Sequence, residues 1–457
     1  MEAVQQLTEW SGWLAGLLWG NPLTLIILLG IGLYLTLRMG LVQLHGFRHA
    51  VGLVSGKYSC ATDTGEVSHF QALSTALSAT VGTGNIAGVA TAITLGGPGA
   101  LFWMWVTAVF GMATKFVECT LALQFRRVSP DGSVAGGPMY TLLDGLKMPR
   151  MATLFAVFAL VASFGIGNMV QANSVMDGLR YIAPELDNYR WFIGCALAAL
   201  VGLVILGGVR RIARVASTIV PFMAMAYLFA ALLVLANHAA AIPWSVATIF
   251  NMALNPCSVG GAAVGEAIRW GVARGLFSNE AGLGSSPMAH AAARTEEPVR
   301  EGLVAMLEPF IDTLVICTLT GLVLVVTGAW QESSDTLTGA ALTAHAFGGT
   351  LGVAGAWVVG GGLTLFAYST IIAWSYYGDR SAYFLFGERA VLPYRVIFTL
   401  LVVIGAAVPL QLVWNIADVT NILMALPNLI GLVLLAGLVK KLKTDYFAGQ
   451  RAGDRKT

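Results

Sequence analysis

The stretch Thr80-Val-Gly-Thr-Gly-Asn85 lies in the middle of a long apolar segment that begins at Phe70, and it decides the fold. Each glycine in a helix interior weakens that helix by about 1 kcal/mol relative to alanine. Two glycines spaced two apart and followed by asparagine therefore predict that the helix stops and restarts here. Backbone left unpaired in hydrocarbon is costly, so this break must face a polar cavity or a ligand. The N–H groups of a restarted helix suit an anion, and the carbonyls before the break suit a cation.

A second polar stretch, Gly275-Leu-Phe-Ser-Asn-Glu-Ala-Gly-Leu-Gly-Ser-Ser-Pro287, interrupts a later apolar segment. Asn279 and Glu280 need partners there, and ionisable groups inside a membrane are functional candidates by default. The alternatives are a close-packed Gly84-x-x-x-Gly88 face for the first stretch and a re-entrant or interfacial loop for the second. Because the start of the seventh segment lies five segments after the start of the second, the two breaks take matching positions in two halves, which is the pattern of a transporter built from inverted repeats.

The composition indicates a membrane protein along the whole chain. Of 457 residues, 57% are hydrophobic and only 11% are charged, whereas a soluble protein carries about a quarter charged residues. The net charge of +2 indicates no nucleic-acid partner, membrane lipid is the expected surrounding, and no obligate protein partner is evident. Eleven hydrophobic segments are centred near residues 30, 82, 110, 163, 199, 227, 277, 315, 366, 401 and 428.

These segments predict an all-α integral membrane protein with eleven transmembrane helices and two broken helices. Within a single transporter domain, 1–457, we expect an extra N-terminal helix at 20–40. The first repeat takes 68–237, and the inverted second repeat takes 260–440. The count becomes ten or twelve if the segment near residue 277 is not a span.

Positive charge alternates between the loops and predicts the orientation, because basic loops stay in the cytoplasm. We expect an external N-terminus and a cytoplasmic C-terminus. One set of loops contains only Arg180 and Arg190, together with acids such as Glu332 and Asp335. The other set contains Arg38, Arg48, Lys57, Arg126, Arg127, Lys147, Arg150, Arg210, Arg211, Arg214, Arg294, Arg300, Arg380, Arg389, Arg395 and the tail from Lys440.

The remaining reactive residues do not form an enzyme site. The five cysteines, at 60, 119, 195, 257 and 317, contain no C-x-x-C pair and indicate neither a disulfide framework nor zinc. Lys115 and Glu118 are one helical turn apart and are expected to pair. Asp312 and Asp418 are single acids for which a hydrogen-bonding role is favoured over a proton relay. A membrane enzyme would need a clustered nucleophile, base or metal set, and the sequence contains none.

Several longer motifs resemble the alanine or glycine:cation symporter family. They are Val81-Gly-Thr-Gly-Asn-Ile-Ala-Gly-Val-Ala-Thr-Ala, Gly96-Gly-Pro-Gly-Ala-Leu-Phe-Trp-Met-Trp, Gly136-Gly-Pro-Met-Tyr, Gly275 to Ser286, and the stretch from Tyr368 to Gly378. The resemblance covers residues 20–445. It implies a leucine-transporter-like fold and sodium-coupled import of a small neutral amino acid, alanine or glycine, across the bacterial inner (plasma) membrane. A proton-coupled carrier and a glutamine-preferring member of the same family are the alternatives.

The same resemblance implies where the substrate binds. The amides of Thr83 and Gly84 would meet its carboxylate, and the carbonyls of Thr80, Phe277 and Ser278 would meet its ammonium. Two further break residues complete the expected substrate site, Asn85 and Asn279.

The co-transported sodium ion is expected beside the first break. Phe366, Ser369 and Thr370 stand at i, i+3 and i+4, which puts a carbonyl and two hydroxyls on one helical face. This face resembles a sodium site that the carbonyls of Ser78 and Val81 complete, and oxygen ligands suit a hard cation. Taken alone, the two hydroxyls would more often be ordinary back-bonding helix residues.

Bulky side chains are expected to close the substrate pocket, and we predict Phe164, Phe277 and Trp374 as its walls. Phe164, Asn168 and Gln171 form one stripe at i, i+4 and i+7. Gln171 stands about where the wider fold has a tyrosine that faces the substrate carboxylate. The alternatives are an interfacial aromatic for Trp374 and amides that only hold helices together.

Overall fold

The computed structural model of the protein describes residues 2–58, 63–128, 133–255, 264–334, 337–408 and 411–451. Cys60, Cys257 and Asp335, which figured in the sequence analysis, lie outside these ranges. Within them the chain is almost wholly helical, as predicted, and its one sheet is a ribbon of Arg127–Val128 and Val134–Ala135. The two strands are antiparallel, with Arg127 opposite Ala135.

The helices follow one another with short connections. The α-helices are Glu2–Gly20, Pro22–Arg38, Val42–His45, Phe47–Val54, His69–Thr80, Val89–Gly96, Gly99–Gln124, Pro138–Tyr140, Pro149–Phe164, Val170–Ile182, Arg190–Ile205, Gly208–Asn237, Ile242–Leu254, Val264–Asn279, Pro287–His290, Pro298–Ala305, Leu307–Pro309, Thr318–Val326, Gly339–Leu351, Val353–Phe386, Val391–Ala407 and Gln411–Arg451. Four π-helical segments are Gly84–Gly88, Thr141–Gly145, Gly165–Met169 and Phe310–Cys317. Four 3₁₀ segments are Pro184–Tyr189, Ala239–Ala241, Ala329–Glu332 and Glu388–Ala390.

Among the described residues, eight helices are long and apolar enough to cross a membrane, or up to ten if each of two bent helix pairs is one span. The bent pairs are Gln5–Trp19 with Leu23–Arg38, at 44°, and His69–Thr80 with Gly84–Gly96, at 52°. The expected span near residue 277 is the 16-residue helix Val264–Asn279, which is not among them. A multi-pass helical membrane protein is therefore confirmed, whereas the count of eleven and the repeat layout stay predictions.

The first break lies where the glycines predicted it. The helix His69–Thr80 opens with a capping box between Ser68 and Gln71 and ends in an extended Val81. The amide side chain of Asn85 then takes the place of a helical partner, because its Oδ1 accepts a hydrogen bond from the Gly82 N–H at 2.8 Å. The chain restarts as the π-helical turn Gly84–Gly88 and continues in a new direction.

The second break follows the helix Val264–Asn279. Glu280 has a left-handed backbone with φ 52°, and Gly282 and Gly284 are also left-handed, at 90° and 84°. A left-handed conformation costs a residue other than glycine about 1–2 kcal/mol, so the surroundings of Glu280 must hold it in place. Residues 280–286 thus leave the helical path before the short helix Pro287–His290 begins.

The basic loops meet at one end of the bundle, which we call the basic end. The Arg126 guanidinium donates to the carbonyls of Thr64, Ala291, Ala293 and Thr295. The segment around Val67 runs beside Ala293 as a parallel bridge, and backbone hydrogen bonds such as Arg294 N–H to the Val67 carbonyl, 2.8 Å, join the two. The chain entering the first broken helix is thereby tied to the chain leaving the second break.

Candidate functional site

A small cavity, which we call the central cavity, lies where the two breaks meet. It holds about 260 Å³ of empty space, and residues of both breaks and of two further helices surround it. Its lining consists of Ala79, Thr80, Gly82, Thr83, Gly84, Ile166, Gln171, Phe277, Glu280, Thr370 and Trp374. Of the residues predicted for the substrate site, six line this cavity, namely Thr80, Thr83, Gly84, Gln171, Phe277 and Trp374.

The close approach of the helices around the cavity needs glycine at two positions. A Cβ on Gly82 would lie 2.9 Å from Oγ1 of Thr370, and a Cβ on Gly84 would lie 3.2 Å from Cα of Ser278. The second contact is with backbone, which cannot swing aside as a flexible side chain can. The two glycines of the first break therefore bring it directly against the second break and against the helix of Thr370.

The side chains of Asn85 and Ser278 do not line the cavity and face the acid Asp312 instead. Asn85 Nδ2 donates to Oδ1 of Asp312 at 2.6 Å, and Ser278 Oγ donates to its Oδ2 at 2.8 Å. Thr313 Oγ1 donates to the same carboxylate at 2.7 Å. Asp312 thus cross-links the two breaks through satisfied hydrogen bonds, as the sequence analysis favoured.

Asn279 also lies outside the lining, and its neighbour Glu280 takes the place expected for it. Asn279 Oδ1 accepts from the Ala281 N–H at 3.0 Å and closes a turn just past the end of its own helix. Glu280 Oε1 accepts from Trp374 Nε1 at 3.1 Å, and Ser285 Oγ donates to the other carboxylate oxygen. The sequence marked Glu280 as needing partners, but its direction depends on a left-handed residue just past a helix end, which helical periodicity does not predict.

Trp374 is inside the protein and is not an interfacial aromatic. Only 1% of it is exposed. Its indole packs against Tyr377 with ring centroids 5.4 Å apart, and it fills the space beside Gly167, where a Cβ would fall 2.7 Å from Trp374 Cδ2. The wall of the cavity opposite the first break is therefore a rigid ring fixed by packing and by Glu280.

Phe164 was predicted as a pocket wall, and the structure locates it elsewhere. Its ring packs on Tyr394, with centroids 5.3 Å apart, and on Phe398, at 6.3 Å. The reason is the π-helical segment Gly165–Met169, which follows Phe164 directly. The wider turn of a π segment shifts the helical register, so Phe164 and Gln171 do not share the face that the i, i+7 spacing suggested.

Gln171 presents an unpaired acceptor to the cavity. Its Nε2 donates to the Ile166 carbonyl at 3.1 Å, while its Oε1 is buried without a hydrogen-bond partner among the described residues. A buried polar atom without a partner costs about 1–3 kcal/mol, so a ligand that donates to Oε1 would gain that energy back. Asn168, one turn earlier, instead donates to the Phe398 carbonyl at 2.6 Å and holds two helices together.

A second polar feature, the oxygen cluster, adjoins the central cavity at Thr370. Thr370 Oγ1 lies 3.0 Å from the carbonyls of both Ser78 and Phe366. Ser369 Oγ lies 2.9 Å from the Phe366 carbonyl and 3.4 Å from that of Ser78. These four predicted sodium ligands thus converge, and all are buried. Val81, the fifth, is fully buried at the break itself.

The pairing predicted for Lys115 with Glu118 is wrong. Lys115 Nζ donates to Glu308 Oε1 at 2.9 Å, and Glu118 accepts from Asn428 Nδ2 at 2.6 Å. Spacing along one helix suggested the pair, but the polar groups of other helices compete for both partners.

A second, open cavity lies beside the central cavity. It holds about 1070 Å³ and shares Thr83 with the lining of the central cavity. Asp177 and Arg180 stand in its wall, and they belong to the loop set predicted to be external.

Comparison with known proteins agrees with this architecture. The model of the sodium:alanine symporter family matches residues 4–457. The sodium/alanine symporter AgcS of Methanococcus maripaludis is 50% identical, over 92% of this chain and 93% of AgcS. The probable sodium/glutamine symporter GlnT of Bacillus subtilis is 36% identical, over 98% of this chain and 93% of GlnT. A solved structure of MhsT in complex with L-phenylalanine has a TM-score of 0.59, over 83% of this chain and 98% of that chain, at 12% identity.

The match to MhsT confirms the leucine-transporter-like fold, and the sequence matches extend over nearly the whole chain. These relatives are named as symporters, so the chain is a transmembrane symporter of amino acids and cations and not an enzyme. Broken helices that enclose a polar cavity, an adjoining cluster of oxygen ligands and similarity along the whole length lead to one conclusion: this chain belongs to the sodium:alanine symporter family.

Proposed function

We propose that the protein imports alanine or glycine together with sodium across the bacterial plasma membrane by alternating access. The observation that carries this proposal is the position of Thr370, which lines the central cavity and also belongs to the oxygen cluster. An ion bound at the cluster and a substrate bound in the cavity would share this residue. Each would therefore stabilise the arrangement that the other needs, which is the physical basis of coupling.

The substrate's carboxylate would bind at the restart of the first broken helix. The Gly82 N–H is already paired with Asn85, but the first N–H groups of a helix have no partner within it. Those of Thr83 and Gly84 border the cavity and carry the positive end of the helix dipole. A carboxylate bound at this position therefore does not need an arginine side chain to balance its charge.

The substrate's ammonium would point towards the opposite wall. Gln171 Oε1 is unpaired there, the Thr80 backbone adjoins it, and Glu280 adds a carboxylate to the lining. In its ionised form Glu280 would attract an ammonium and repel a second carboxylate, which would favour neutral amino acids over acidic ones. Phe277 and Trp374 leave little room for a side chain, which favours alanine and glycine.

Sodium would bind at the oxygen cluster, where two carbonyls and two hydroxyls converge without a charged ligand. Oxygen donors without sulfur or nitrogen suit a hard monovalent cation. A proton has no such need for several convergent oxygens, so the cluster favours sodium over the proton-coupled alternative. The bulky rings of Phe277 and Trp374 in the lining likewise favour alanine over glutamine.

Uptake by proteoliposomes under ion replacement tests this function. Labelled alanine should accumulate when a sodium gradient is the only driving force, with equal pH on both sides, and it should not accumulate when choline replaces sodium. Glycine should compete for this uptake, and glutamine should compete weakly. Accumulation driven by a pH gradient without sodium would overturn sodium coupling, and stronger competition by glutamine would overturn the substrate.

A further inference from the structure

A chain of buried ionisable groups runs from the neighbourhood of the central cavity towards the basic end. Glu301 lies between two imidazoles, since His69 Nδ1 contacts one carboxylate oxygen and His290 Nδ1 lies 2.6 Å from the other. The second ring nitrogen of His290 lies 3.7 Å from Glu308, which pairs with Lys115 at 2.9 Å. All five side chains are 3% exposed or less.

Counted by themselves, these five groups carry a net negative charge unless a histidine takes up an additional proton. Glu301 and Glu308 contribute two negative charges, and Lys115 contributes one positive charge. An unpaired charge is expensive in a protein interior, and an additional proton on His290, which lies between Glu301 and Glu308, would restore the balance. The two ring nitrogens of His290 both face carboxylates, which is the geometry that a doubly protonated imidazolium requires.

The charged groups around this chain of ionisable residues strengthen the need for an additional proton. Each surrounding carboxylate that ionises adds negative charge. The guanidinium of Arg126 lies at the part-exposed rim, where Glu296, Glu301 and Asp63 all face it, so Glu301 shares this positive charge with two other carboxylates. The titratable groups that face the chain from each packed element are Glu118 and Cys119 on Gly99–Gln124, Glu280 of the second break, Asp312 after Glu308, Tyr377 on Val353–Phe386, and Arg126.

The chain of ionisable groups also joins the two broken elements at the basic end. His69 is the first residue of the helix that enters the first break, and His290 ends the short helix that follows the second break. Glu301 therefore joins the two broken elements at the place where the backbones near Val67 and Ala293 pair. A path from the central cavity to the basic end would have to part His69 from Glu301.

We propose that His290 and Glu301, with His69 as the second partner of Glu301, form a proton-binding site, and that the bound proton keeps the basic end of the transporter closed. With the proton present, Glu301 is held between two helices by charged hydrogen bonds. When the proton leaves, Glu301 becomes an uncompensated buried charge, which is relieved if the helices separate and water enters. Acid on the cytoplasmic side should therefore slow opening towards the cytoplasm, and alkali should speed it.

Right-side-out membrane vesicles test this proposal, which rests on the proposed function only for its transport readout. Burial lowers the pKa of His290, but the facing carboxylates of Glu301 and Glu308 outweigh burial and raise this pKa to about 9. Sodium-driven alanine uptake is therefore measured at fixed external pH and clamped membrane potential, while the lumen is set between about pH 7 and pH 10, on both sides of that value. The rate should fall as the lumen becomes acidic, by up to about tenfold per pH unit for a single proton.

Glutamine substitutions identify the site. His290→Gln and His69→Gln should each flatten the dependence on lumen pH, as should Glu301→Gln, which removes the charge that holds the proton. His45→Gln is the matched control, because His45 is exposed and bonds only its own Leu41 carbonyl, and it should keep the wild-type profile. External alanine binding reports whether each variant is folded. A wild-type rate independent of lumen pH, or histidine variants with the wild-type profile, would overturn the proposal.

A second readout does not depend on transport and separates failure of this proposal from failure of the proposed function. Cys119 is fully buried beside the chain of ionisable groups. A maleimide should therefore reach its thiol only when the basic end opens. The ratio of Cys119 labelling in His290→Gln to that in the wild type should be high at acidic pH and approach one at alkaline pH. The ratio cancels the intrinsic pH dependence of the thiol. A ratio of one at every pH would overturn the site even if no alanine were carried.

Discussion

Replacement of Trp374 by alanine should change which amino acids the protein accepts. The indole is almost fully buried, forms one wall of a cavity of about 260 Å³, and is held by Glu280 and by packing beside Gly167. Without the ring, space opens next to the expected substrate side chain. Valine has two more carbon atoms than alanine, and each buried methylene is worth about 0.8 kcal/mol. The affinity for valine relative to alanine should then rise by about 1.6 kcal/mol, or about fifteenfold.

Competition against the uptake of labelled alanine measures this change, with valine, leucine and serine as competitors. Trp374→Phe is the matched control, because it keeps an aromatic wall and removes only the donor to Glu280. It should leave the preference for small amino acids in place. If Trp374→Ala still carries alanine but valine and leucine gain nothing, the indole does not limit the substrate, and the site assigned to the central cavity is wrong.

Three further outcomes are expected. Thr370→Val should raise the sodium concentration for half-maximal uptake about tenfold to 150-fold, because a hydrogen-bonding oxygen facing a charge contributes about 1.5–3 kcal/mol. Gly84→Ala should impair alanine uptake, because its Cβ would press on the second break at 3.2 Å, whereas Gly88→Ala, with its nearest neighbour at 3.9 Å, should be tolerated. In a background without other cysteines, Thr444→Cys should resist membrane-impermeant thiol reagents in intact cells, and Tyr189→Cys should be labelled.

For each of these expected outcomes, a specific result would contradict it. Thr364 lies on the helix of Thr370 and bonds only the Gly360 carbonyl, at 2.8 Å, so Thr364→Val should leave the sodium dependence unchanged. An equal effect in both valine variants would remove Thr370 from the ion site. Equal alanine uptake by Gly84→Ala and Gly88→Ala would mean that transport does not need the close contact between the two breaks. Ready labelling at residue 444 would reverse the predicted orientation.

The sequence predicted the parts of the site that depend on backbone chemistry. Glycines, threonines and asparagine at 80–85 identified the first break, since few other arrangements satisfy such residues inside a membrane. The i, i+3, i+4 spacing of Phe366, Ser369 and Thr370 predicted a shared face because that helix, Val353–Phe386, is continuous. The structure brings these oxygens together with the carbonyl of Ser78.

The sequence did not predict the features that depend on local departures from the α-helix. Phe164 was misplaced by the π-helical segment after it, and Glu280 was passed over because it follows a helix end in a left-handed conformation. Neither departure has a distinctive residue pattern. Partners across helices were also missed, as with Lys115 and Glu308, since 193 positions separate them along the chain.

The central claim is that the oxygen cluster and the central cavity form one coupled site for sodium and alanine. Equilibrium binding to the purified protein tests it most directly, because linkage requires each ligand to change the affinity of the other by the same factor. Sodium should tighten alanine binding, alanine should tighten sodium binding by that same factor, and choline should have no effect. In Thr370→Val the factor should shrink. Alanine binding that is indifferent to sodium would contradict the claim.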